Sequence, residues 1–223
     1  MKFKAVLFDL GGTLIKTAEV PEIFRRILEK HGVKADFARI LEAHRANEKE
    51  FNVETGQVEL GMAFWHNWNL AIVKSLGVEK DAQFLARRIS ELWWDYADLQ
   101  FHPDVADTLA RLKTKRVKTG IVTNGLREDY EQVLQRLGAT GYFDITVGAN
   151  SCNTAKPDSK IFLYAVKKLQ LRPNEVLFVG DSIEKDYEGA REAGLGPLLI
   201  DREGRAPKNV DSIKSLTEIL HYF

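Results

Sequence analysis

The sequence predicts an α/β protein, a doubly wound parallel sheet with an α-helical segment inserted near its start. Two observations predict the sheet. Apolar runs that stop at a polar residue beside glycine recur along the chain, and stretches with apolar residues at helical spacing lie between them. Such strand–helix alternation is the pattern of a parallel sheet covered on both faces. A third observation sets the insert apart: residues 16–96 contain no convincing strand and hold all four tryptophans, Trp65, Trp68, Trp93 and Trp94.

The first strand is Ala5-Val6-Leu7-Phe8, which runs into Asp9 and then Gly11–Gly12, the mark of a strand ending in a tight loop. The insert reads as four helices, near 21–31, 36–50, 58–75 and 80–97. Pro21 suits a first helical turn, Ile23, Phe24, Ile27 and Leu28 recur at helical spacing, and Gly32 and Gly77 stand where helices stop. After it come helical patterns at 104–114, 126–137, 159–169 and 183–193. They alternate with strand signals at Gly120-Ile121-Val122-Thr123, Ile145-Thr146-Val147, Val176-Leu177-Phe178-Val179 and Pro197-Leu198-Leu199-Ile200. Ile213, Leu216, Ile219 and Leu220 suggest a short closing amphipathic helix. The expected division is an α/β domain of residues 1–15 and 97–223 around a helical domain of 16–96.

Composition excludes several classes. Lys plus Arg is 32 and Asp plus Glu is 32, so there is no global field to attract nucleic acid or an anionic membrane. Hydrophobic residues make up 44%, enough for a core and too many for a disordered chain. A single cysteine, Cys152, excludes an internal disulfide and a multi-cysteine zinc site. No apolar run approaches the roughly 18 residues of a membrane span, and the apolar run before Asp9 is too short for a signal peptide. A soluble, cytoplasmic protein is expected. Its oligomeric state leaves no mark on the sequence.

Ligands of parallel sheets bind at the carboxyl ends of the strands. Asp9, Thr123–Asn124 and Asp181 occupy such ends, and Lys156 lies in the loop Ala155-Lys156-Pro157-Asp158. Singly, each has a plain explanation: turn residue, helix cap or solvated lysine. Together and in order they carry more. Phe8-Asp9-Leu10-Gly11-Gly12-Thr13-Leu14 resembles the first motif of the haloacid dehalogenase (HAD) superfamily, and Ile121-Val122-Thr123-Asn124-Gly125 its second. Lys156-Pro157-Asp158 with Ile161-Phe162 resembles the third, and Val179-Gly180-Asp181-Ser182 through Asp186, with Gly189-Ala190 and Ala193-Gly194, the fourth. The insert resembles the helical cap of that superfamily's phosphoglycolate phosphatase-like and dehalogenase-like branch.

The resemblance implies a Rossmann-like core and Mg²⁺-dependent hydrolysis of a small phosphorylated molecule through an aspartyl-phosphate. Asp9 is then the nucleophile. Asp9, Asp181 and the backbone carbonyl of Gly11 hold the metal, while Asp186 holds a water on it or orients Lys156. Lys156 neutralises charge on Asp9 and on the transferring group. The Thr123 hydroxyl, the Asn124 N–H and the N–H groups of the Gly11–Gly12 loop hold phosphate oxygens. The chemistry is coherent without the name: a carboxylate attacking phosphorus splits one displacement into two, and a hard cation reconciles several carboxylates with a phosphate dianion. Thr13 is expected to pack or hydrogen-bond within its loop.

One position departs from the motif. Phosphatases of the superfamily usually carry a second Asp two residues after the nucleophile, as the acid for the leaving oxygen, and here that position is Gly11. Such a group is worth roughly 10²–10⁴-fold. Glu19, His66 or water would supply the proton, or the substrate would carry a good leaving group, or the protein mainly binds and turns over weakly. A metal-free L-2-haloacid dehalogenase is the alternative reading. Against it, such a site has no use for Asp181, and no Arg follows the first motif until Arg25. The tryptophans read as helix packing rather than substrate lining, Arg127 as an exposed helix residue, and Cys152 as inert.

Overall fold

The structure is a computed structural model that describes residues 3–223. Met1 and Lys2, part of the N-terminal stretch read above as too short for a leader, lie outside the described residues. The chain divides into two compact units, one made of the chain up to Lys16 together with Gln100–Phe223, the other of Thr17–Leu99.

In the first unit, six strands among the described residues form one parallel sheet. In chain order the strands are β1 (Ala5–Phe8), β2 (Ile15–Lys16), β3 (Gln100–Phe101), β4 (Lys118–Val122), β5 (Ile145–Val147), β6 (Val176–Gly180), β7 (Gly196–Ile200) and β8 (Ser212–Ile213). The sheet order is β5-β4-β1-β6-β7-β8, and β2 and β3 pair separately as a short antiparallel ribbon. Every residue of β1 is fully buried, as a central strand covered on both faces must be, which is why its sequence is continuously apolar rather than alternating. The register sets Phe8 level with Ile121 on one side and Val179 on the other.

The helical unit contains α1 (Val20–Lys30), α2 (Phe37–Glu50), α3 (Val53–Leu60), α4 (Met62–Ser75) and α5 (Ala82–Tyr96). The helix expected at 58–75 is thus two helices. Gly61 at φ +56° cannot continue α3, and its carbonyl accepts from the Phe64 N–H as α4 begins. Ile23, Phe24, Ile27 and Leu28 of α1 pack with Ile40, Phe64, Trp68, Ile72 and Ile89 in one core. No helix among the described residues is long and apolar enough to cross a membrane.

Among the described residues, four α-helices accompany the sheet: α6 (Val105–Thr114), α7 (Arg127–Arg136), α8 (Ser159–Leu169) and α9 (Gly189–Glu192). Ile161, Phe162, Ala165 and Leu169 of α8 pack on Leu7, Val122 and Phe178, with the Phe162 and Phe178 rings edge to face at 4.9 Å. Two helical expectations change in kind. The pattern at 183–193 begins as a wider π-turn over Ile183–Glu188, where the Tyr187 N–H reaches back to the Ser182 carbonyl, before α9. The closing helix is a tight 3₁₀ segment, Leu216–Tyr222.

Because all four tryptophans lie in Thr17–Leu99, their emission follows the unfolding of that unit. Ile72→Ala, at a fully buried position, is expected to cost it about 2–5 kcal/mol, read from the urea midpoint of tryptophan fluorescence. A loss under about 0.5 kcal/mol is what a surface position would give.

Candidate active site

The sheet order puts three strand ends side by side. Asp9 follows the central β1, Thr123 follows β4, and Asp181 follows β6. The Asp9 N–H donates to the Val179 carbonyl at 2.8 Å and the Thr123 N–H to the Val147 carbonyl at 2.9 Å, so both backbones remain tied to the sheet where their side chains leave it.

Lys156 completes the group. Its side chain is buried, and Nζ donates to Asp9 Oδ1 at 2.5 Å and to Asp186 Oδ1 at 2.6 Å. The ammonium also lies 5.6 Å from the centre of the Phe178 ring, an attractive cation–π placement at the floor of the site. Asp9, Asp181 and Asp186 each bring a carboxylate oxygen within 4.8 Å of the others; Asp9 and Asp186 are buried and Asp181 is exposed. The π-turn turns Asp186 back toward the sheet, where its Oδ2 accepts from the Ser182 N–H at 3.0 Å. Two glycines give the acids their room. A Cβ at Gly180 would collide with the Asp186 carboxyl group, and one at Gly12, where φ is +74°, would collide with that of Asp181.

Electrostatics leave the cluster short of positive charge. Burial pushes the Asp9 carboxyl up to about 7; Lys156 opposes this, and the charges of Asp186 and Asp181 reinforce it. Although its residue is exposed, the Asp181 carboxyl is partly desolvated by the protein around it, and this and the Asp186 charge push it up. Burial alone would lower Lys156, but the two carboxylates hold its ammonium above its ordinary value. Three carboxylates and one ammonium carry a net charge of −2 when all are ionised. Several oxygen donors in one small volume with that excess fit a hard divalent cation.

Of the other expected residues, Thr123 is buried and its Oγ1 accepts from the Gly125 N–H at 3.1 Å, leaving the hydroxyl proton to donate. Gly11 is exposed at a backbone geometry ordinary residues adopt, and a Cβ there would meet open space. Asn124 has a role that the sequence reading missed: its amide clasps the backbone of Lys156, Nδ2 to the carbonyl at 3.0 Å and Oδ1 from the N–H at 2.6 Å. Thr13 packs as expected, fully buried, but it bonds through its carbonyl, which accepts from Arg202.

The remaining candidates have other surroundings on the elements that carry them. His66 pairs with Gln83 at 2.9 Å within the helical unit. Trp68 is buried against Phe51, Phe64, Trp65 and His44. Arg127 is exposed at the start of α7, and the Cys152 thiol is half-buried and pushed up by burial.

Comparison with known proteins places these features in context. A model of the haloacid dehalogenase-like hydrolases matches residues 3–194. The chain is 31% identical to a glyceraldehyde 3-phosphate phosphatase of Methanopyrus kandleri over 94% of its own length and 90% of that protein's. It is 27% identical to (S)-2-haloacid dehalogenase 4A of Burkholderia cepacia over 92% and 86%. Among solved structures, a HAD phosphatase from Thermococcus onnurineus superposes with a TM-score of 0.68 at 27% identity, covering 99% of this chain and 97% of that one.

The Asp9 shift has a thermodynamic consequence. Its carboxyl titrates at 3.8 ordinarily and at about 7 in the fold, so folding takes up a proton between those values. The metal-free protein is expected to be most favoured by this group below the lower value and to lose that contribution as pH rises from about 4 to 7. Urea titrations in EDTA should show a flatter stability profile across this window for Asp9→Asn. A profile parallel to wild type would mean that Asp9 is not the titrating group.

Proposed function

This chain belongs to the haloacid dehalogenase-like hydrolases, and we propose that it is a divalent-cation-dependent phosphatase of small phosphomonoesters, working through a phosphorylated Asp9. The observation that carries the reading is the meeting of the Asp9, Asp181 and Asp186 carboxylates within 4.8 Å of one another, where the one ammonium, bonded to Asp9 and Asp186, leaves an excess of negative charge. A metal-free dehalogenase bringing an anionic haloacid to these acids would add repulsion that nothing in the cluster offsets. The phosphatases among the relatives support the same choice, and glyceraldehyde 3-phosphate is the first ester to test.

In this reading Asp9, Asp181 and the Gly11 carbonyl would hold Mg²⁺, and Asp186 would hold a water on it or orient Lys156, to which it is bonded. The ion supplies the charge that keeps Asp9 ionised and lets a phosphate dianion approach. An Asp9 carboxylate oxygen bonds to phosphorus as the ester P–O bond breaks, and the alcohol oxygen leaves with the electron pair. Lys156 holds the other side of the Asp9 carboxylate and offsets charge through the transfer. The Thr123 hydroxyl and the N–H groups of Asn124 and of the Gly11–Gly12 loop hold the phosphate oxygens. Water then attacks phosphorus, phosphate departs, and Asp9 is regenerated. We assign the helical unit the role of a cap that chooses substrates.

Gly11 offers no side chain to the leaving oxygen; the proton then comes from water or from Glu19 or His66, and with water leaving-group quality governs the rate. Phosphate release from aryl and alkyl phosphates, with Mg²⁺ or with EDTA, tests the reading. Activity that requires Mg²⁺, falls to background in Asp9→Asn and favours aryl esters is expected. Halide release from 2-chloropropionate in EDTA would establish the dehalogenase instead. Gly11→Asp, which finds open space, is expected to raise kcat on alkyl phosphates by about 10-fold or more, toward the roughly 10²–10⁴-fold worth of a proton donor. No gain would mean that protonation does not limit the rate.

A further inference from the structure

Behind the loop that follows Asp9 lies a second charged cluster, built from segments far apart in sequence. Asp104 stands just before α6. Its carboxylate accepts from both terminal nitrogens of Arg202, Nη1 at 2.7 Å and Nη2 at 3.0 Å. It also accepts from the Leu216 N–H at 2.9 Å and the Ser215 hydroxyl at 3.0 Å, at the head of the closing 3₁₀ segment. Arg202 follows β7. Its backbone is set by Asp201, whose N–H donates to the Ile213 carbonyl at 2.7 Å and whose carboxylate gathers the Gly204 and Ala206 N–H groups. The pair is mostly buried, with side chains 24% and 13% exposed, and its two parallel bonds fix the plane of the guanidinium.

So oriented, Arg202 has a further contact: Nη2 donates to the Thr13 carbonyl at 3.1 Å. One residue on, the Leu14 carbonyl accepts from the His102 N–H at 2.9 Å. The loop closes on itself through Leu14 and Ile15 N–H groups bonded to the Leu10 carbonyl and the Gly12 N–H bonded to the Ile15 carbonyl. It is thus anchored at Asp9 by the sheet and at Thr13 and Leu14 by these outside donors, with Gly11 and Gly12 between the anchors.

We propose that Arg202 is a positioning residue for the active site: clamped by Asp104, it holds the Thr13 carbonyl and so fixes the backbone that carries Gly11 and Gly12 beside Asp9. Its kinetic consequence rests on the phosphatase reading. The Leu216 and Ser215 bonds give Asp104 partners that join α6 to the chain end without Arg202. What Arg202 adds is its reach into the nucleophile loop. Lysine is no substitute, because a single ammonium lacks the planar fork that serves a carboxylate and a carbonyl together.

The test compares wild type, Arg202→Ala and Arg202→Lys in Mg²⁺ buffer. It measures kcat and KM on p-nitrophenyl phosphate, the folded fraction, and amide hydrogen exchange at Gly12, Leu14 and Ile15. In folded Arg202→Ala, kcat is expected to fall roughly 10²-fold with KM within about threefold, and the three amides to exchange faster. Arg202→Lys is read the same way and decides the matter if the alanine variant does not fold. Unchanged kcat, or a loss that only tracks the folded fraction while exchange is unchanged, overturns the proposal. If wild type releases no phosphate, the phosphatase reading fails by itself. Exchange alone then decides: faster exchange at those amides supports the anchoring, and unchanged exchange overturns it.

Discussion

A lysine ammonium held between two buried carboxylates is the interaction around which the α/β unit is arranged. Burying any one of these charges without the others costs several kcal/mol, so Lys156, Asp9 and Asp186 are tolerable only as a set and only at hydrogen-bond distance. That requirement reaches outward. Asn124 must grip the Lys156 backbone, Gly180 must leave room for Asp186, and the chain after β6 must widen into a π-turn to aim that acid inward. Asp181 adds a third carboxylate that the ammonium does not contact, and the set is left wanting a cation.

The parallel sheet delivers this arrangement because β4, β1 and β6 are neighbours, so residues well over a hundred positions apart emerge at one edge. Proteins named as phosphatases and proteins named as dehalogenases both resemble this chain over most of its length. Most of the curated relatives compared are phosphatases, but coverage alone does not separate the chemistries. In our reading the count of carboxylates at the ends of β1 and β6 does, since it decides whether the incoming anion needs a metal partner.

The sheet was legible in sequence for a physical reason: strands covered on both faces leave continuous apolar runs, as in Ala5–Phe8 and Val176–Gly180. Asp9 and Asp181 were legible as polar residues at the ends of apolar strands beside glycine, whereas Lys156 and Asp186 were legible only through the ordered motifs that resemble the superfamily's. What was hidden depended on backbone angles or on distant partners. Apolar residues on either side of Gly61 disguised the break between α3 and α4, which only its positive φ reveals. The π-turn keeps the composition of an ordinary helix. The side-chain grip of Asn124 on Lys156 and the bonds of Arg202 to Asp104 and Thr13 join segments with no local pattern in common. The two-residue strands β2 and β3 are too short for any periodicity to register.

That small ribbon has a consequence of its own. Lys16 and Gln100 are directly opposite each other in an antiparallel pair, so the outgoing and returning chain are about one strand spacing, ~5 Å, apart. A tight turn is enough to bridge such ends. Lineages could therefore exchange, shorten or enlarge whatever is spliced there without shifting the sheet's register. Evolution would then be free to vary the guest while the host's chemistry stayed fixed.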